Sequence, residues 1–94
     1  MIRIMNINNS IHITGHTDTD ICASVSTILY TTVNALILYD TECFEFIDDK
    51  ENDFVNMKLI KNDKIIDMLF KNMIDLFEDL QSQFPNNIQI VKSL

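Results

Sequence analysis

Two residues stand close enough in the chain to do chemistry together. His16 follows Gly15, the only glycine, and Cys22 comes six positions later. The residues before Gly15 alternate as a strand would, and those after Asp20 carry the apolar pattern of a helix. A thiol attacks a carbonyl only as the thiolate, so it needs a base or a depressed pKa. The first turn of a helix offers unpaired N–H groups and the positive end of the dipole. Those donors could also hold an oxyanion, and His16 could act as general base across the short connector. Asp18 and Asp20 oppose a thiolate if they point at it, but either could instead orient His16. A cysteine near a helix start is most often a small buried apolar residue, and a histidine at a strand end is most often a loop residue. Spacing alone therefore does not decide for catalysis. A zinc site from His12, His16, Cys22 and an aspartate lacks paired ligands on one element. No metal or cofactor is expected, and Cys43 reads as a core residue of a strand.

The elements that must position these residues follow from periodicity. Ile2, Ile4 and Ile7 suggest a first strand, and Asn8-Asn9-Ser10 has turn chemistry. Ile11 and Ile13, alternating with His12 and Thr14, give a second strand that ends at Gly15 and closes a hairpin. Thr17 to Thr19 form a connector of ordinary length, with Thr19 or Asp20 as the helix cap. A first helix is expected from about Asp20 to Leu38. A third strand over Glu42 to Ile47 and a fourth over Phe54 to Ile60 flank a polar turn, Asp48 to Asp53. That acidic run reads as a solvated loop. Asn62 or Asp63 caps a second helix that runs to about Phe84, where Pro85 stops it. Its stripe of Ile65, Leu69, Met73, Leu76, Phe77, Leu80 and Phe84 predicts the buried face. A last strand lies between Asn86 and Lys92. The order is β-β-α-β-β-α-β, an α+β domain with two helices packed on one face of a mostly antiparallel sheet. The other face or an edge could be covered by a second subunit.

Composition narrows the function. The 94 residues suit one domain, residues 1–94. A net charge of −7 argues against phosphate backbones, so no direct nucleic-acid partner is expected. Ile21 to Tyr39 holds no charged residue, yet its serines, threonines and asparagine suit a helix buried in a soluble core rather than a span. No membrane partner is expected. Two cysteines make no disulfide framework and the first residues lack a signal-peptide core, so the cytoplasm is the expected compartment.

Gly15-His16, followed by Asp20-Ile21-Cys22-Ala23 and then Val25-Ser26, resembles the signature of the ribosomal-processing cysteine protease family Prp, also called YsxB-like. Asn34 also has a counterpart in that family's first helix. The resemblance implies that Cys22 is the nucleophile and His16 the base. It gives Ser26, one turn after Cys22, and Asp20 supporting roles. It further implies a homodimer that removes the N-terminal extension of a large-subunit ribosomal protein, cutting after a hydrophobic motif that contains an aromatic residue. The connector between His16 and Cys22 is shorter here than in the family and lacks its second glycine. Thr17 replaces an alanine, and the family's acid corresponds to Thr19 or Asp20. The leading expectation is thus a cysteine endopeptidase. The alternative is a non-catalytic peptide-binding or dimeric interaction module of the same fold.

Overall fold

The computed structural model describes residues 1–92. Strands β1 (Ile2–Ile7) and β2 (Ser10–Thr14) form a tight hairpin, with Ile7 paired to Ser10. Two residues suffice for the loop because Asn8 takes φ +53°, a left-handed conformation that asparagine tolerates. Helix α1 (Thr19–Tyr39) follows, then β3 (Phe44–Asp49) and β4 (Phe54–Leu59), helix α2 (Lys64–Gln83) and β5 (Ile88–Lys92). The five strands lie in the order β3-β4-β2-β1-β5. All neighbours are antiparallel except β1 and β5, which run parallel. This is the expected α+β order. Asp48 and Asp49, expected in the turn, are the last residues of β3.

Both helices cover one face of the sheet. Ile2, Ile4, Ile11, Ile13, Met57, Leu59 and Ile88 point into that layer by strand alternation. They meet Ile21, Val25, Leu29, Val33 and Leu36 of α1 in one core. From α2 the buried residues are Ile66, Met73, Ile74, Phe77 and Leu80. The expected stripe was therefore out of phase in part. Ile65, Leu76 and Phe84 are exposed, and Ile66 and Ile74 take the buried places. By length and composition α1 is apolar enough to cross a membrane. Here its inward side packs on the sheet and on α2. The opposite sheet face carries Ile7, Ile47 and Val91, each partly open to solvent.

Candidate active site

The site sits where β2 gives way to α1. Gly15 has φ +83°, and a Cβ on it would collide with the backbone carbonyl of Met1. Only glycine combines that conformation with so close an approach, so the chain can turn there and present His16. Residues 15–18 form no regular structure. They are tied to the residue just before β5, Asn87, whose side-chain amide donates to Thr17 Oγ1 at 2.8 Å.

α1 starts one residue earlier than its sequence pattern suggests. The N-cap is Asp18 rather than Thr19 or Asp20, and its side chain makes no capping bond. Its carbonyl instead accepts from the N–H groups of Ile21 (3.1 Å) and Cys22 (3.0 Å). The backbone N–H of Cys22 is therefore already bonded within the helix, and oxyanion donors must come from elsewhere. The thiol itself is held by the connector. Thr17 N–H donates to Cys22 Sγ at 3.3 Å, and the S–H can donate to Thr17 O at 3.5 Å. Thr17 N–H thus points at the sulfur, which stands in the first turn of α1.

His16 and Cys22 line the same open cavity of about 400 Å³. Among the described residues no hydrogen bond joins them. The partner of His16 is Asp53, with Nδ1 and Oδ2 3.1 Å apart. Asp53 is the last residue of the β3–β4 turn, and its carbonyl accepts the N–H of Gly15 at 3.3 Å. Asp18 and Asp20, the sequence candidates for orienting His16, are not brought to its ring. Asp20 and Asp18 border a separate hollow with Ile21, Ser24 and Phe84. Ser26 does line the main cavity. Its hydroxyl is not among those that bond back to the α1 backbone, as Ser24, Thr27, Thr31 and Thr32 do. Asn34 is exposed further along α1. His12 lies on the open sheet face, its ring 5.9 Å from that of Phe54, so the zinc quartet is not assembled.

The cavity has a defined chemical character. Cys22, Ser26 and Tyr30 line it at successive turns of α1, with Val25, Leu29, Ile13 and Val55 as apolar floor. Asp48, Asp49 and Asp53 stand on the opposite rim. Tyr30 donates a hydrogen bond to Asp48, which holds its phenol above the ordinary tyrosine pKa. Its ring also meets Phe46 edge-on, 5.6 Å between centroids. The open cavity, its apolar floor and the thiol on its wall suit a peptide.

The sequence matches the family described as Cysteine protease Prp over residues 1–89. The chain belongs to the Prp cysteine protease family. Two structures of the essential ribosomal processing protease Prp from S. aureus superpose with TM-scores of 0.90. One holds a covalently linked product peptide at 19% identity and the other a substrate peptide at 17%. Each similarity covers 99% of this chain and 100% of the other. SMU.848 from Streptococcus mutans aligns at 20% identity with a TM-score of 0.77, over 98% of this chain and 93% of that one. At such identities these likenesses establish the fold, while family membership rests on the sequence match. No curated protein matches the sequence.

Proposed function

We propose that the chain is a cysteine endopeptidase that removes the N-terminal extension of a large-subunit ribosomal protein, with Cys22 as nucleophile and His16 as base. The observation that carries this is the peptide-sized groove with both residues on its wall, in a chain of a cysteine protease family. The S. aureus relative is a ribosomal processing protease that binds substrate and product peptides, which supports the same substrate class here. In the reaction the Cys22 proton passes to His16 and the sulfur attacks the scissile carbonyl carbon. The imidazolium then gives that proton to the departing amine, leaving a thioester on Cys22. Water, deprotonated by His16, attacks the thioester and restores the thiol. Ser26 supports the site from the groove wall. Asp20 supports it indirectly, as the acidic residue in the first turn of the helix that carries Cys22. The apolar floor takes the hydrophobic side chains before the cut. The family resemblance extends the reading to a cytoplasmic homodimer, which sedimentation of the purified protein tests.

The deciding experiment is incubation with a peptide that spans such an extension, read by mass spectrometry. Wild type is expected to cut once, and Cys22→Ala and His16→Ala to leave the peptide intact. Binding without cleavage by wild type would move the chain to the peptide-binding module.

A further inference from the structure

We infer that Asp53 is the positioning residue of this site, holding His16 as the Nδ1–H tautomer so that Nε2 is the nitrogen that takes the Cys22 proton. The inference rests on the protease reading for its catalytic consequence, but the tautomer is a property of the pair itself.

Asp53 is tied to the Gly15-His16 segment twice. Its carbonyl accepts the N–H of Gly15, and its carboxylate lies 3.1 Å from His16 Nδ1. An ionised carboxylate can only accept, so the proton of a neutral imidazole belongs on Nδ1 when that nitrogen faces it. The other nitrogen is then left unprotonated, as a general base must be. When the thiol gives up its proton, the same carboxylate stabilises the imidazolium that forms.

The backbone carries the same message. Asp53 has φ +50°, a conformation that aspartate accepts more readily than most residues and that β-branched residues resist. That turn aims both its carbonyl and its carboxylate at the end of β2. The pair is solvent-exposed, with 75% and 52% of the two side chains accessible. Exposed pairs contribute little to stability. Orientation of the base is the remaining role, and it is one that a bound peptide would strengthen by excluding water from the groove.

The test measures the His16 tautomer by two-bond ¹H–¹⁵N NMR at a pH where the ring is neutral, with His12→Gln to assign the signal. Wild type is expected to give Nδ1–H. Asp53→Asn and Asp53→Gly both suit a positive φ, so neither should disturb the fold, and both should shift His16 towards Nε2–H. With the extension peptide, kcat/KM of both variants should fall about tenfold or more with KM within about twofold, because the interaction serves the transition state. Asp53→Glu should recover part of the loss, and Asp67→Asn, an exposed acid of α2 outside the groove, should stay within about twofold of wild type. An Nε2–H tautomer in wild type, or a tautomer unchanged by both Asp53 replacements, overturns the inference. So does an equal loss of kcat in Asp67→Asn. Failure of wild type to cleave any such peptide would defeat the protease reading instead, and the tautomer would still decide the role of Asp53.

Discussion

Cys22 and Cys43 are the same functional group in opposite settings. Cys43 is fully buried, and burial pushes its thiol pKa up, with the Asp40 charge adding to the effect. Cys22 is only partly covered and opens on the groove. Iodoacetamide at neutral pH is therefore expected to label Cys22 at least about tenfold faster than Cys43, read by peptide mapping. Equal, slow labelling would count against an active thiol. Gly15→Ala should lower both activity and thermal stability, since the added Cβ meets backbone that cannot rotate away. That His16 and Cys22 would face one cavity was legible in the sequence, because only a short connector separates them. Asp53 was not. It sits in an acidic run that reads as a solvated turn, and its meaning depends on β4 pairing with β2, which sets Phe54 opposite Thr14 and so Asp53 beside Gly15. No local pattern announces that pairing, so the nearer Asp20 looked like the better acid.

At the scale of elements, the seven segments were readable within a residue or two because turns and caps punctuate them. The phase of α2 was harder. Ile65-Ile66 and Met73-Ile74 are apolar doublets, so two neighbouring stripes both satisfy spacings of three and four. Packing chose the one through Ile66. Ile66→Ala should thus cost about 2–5 kcal/mol by chemical denaturation, whereas Ile65→Ala, on the exposed side, should stay within about 0.5 kcal/mol. The start of α2 makes a separate prediction. Asp63 accepts Ile66 N–H at 2.8 Å and a bond from the Tyr39 hydroxyl, and these hold its carboxyl below the ordinary aspartate pKa. The folded state therefore binds that proton less tightly than the unfolded chain does. The stabilisation is present above the unfolded aspartate value and is lost as pH falls through the lowered one. Thermal melts below about pH 4 should fall more steeply for wild type than for Asp63→Asn, which cannot titrate.

Over the whole molecule, the groove is built from parts far apart in sequence. α1 gives one wall, the β3–β4 hairpin the other, and the connector between them is fastened by Asn87 just before β5. Asn87→Ala should leave the melting temperature within a few degrees of wild type, yet reduce cleavage by loosening Thr17 against the Cys22 sulfur. That β1 and β5 would be parallel neighbours was beyond the reach of sequence pattern, because each strand reads alike whatever lies beside it. The pairing has a consequence for the birth of the protein on the ribosome. Ile2 finds its partner Ile88, and Thr17 its anchor Asn87, only after nearly the whole described chain has been made. A nascent chain can carry the thiol and the imidazole long before then without the fixed connector that sets them. Translation thus completes β5 before the connector that sets the thiol and the imidazole can be fastened.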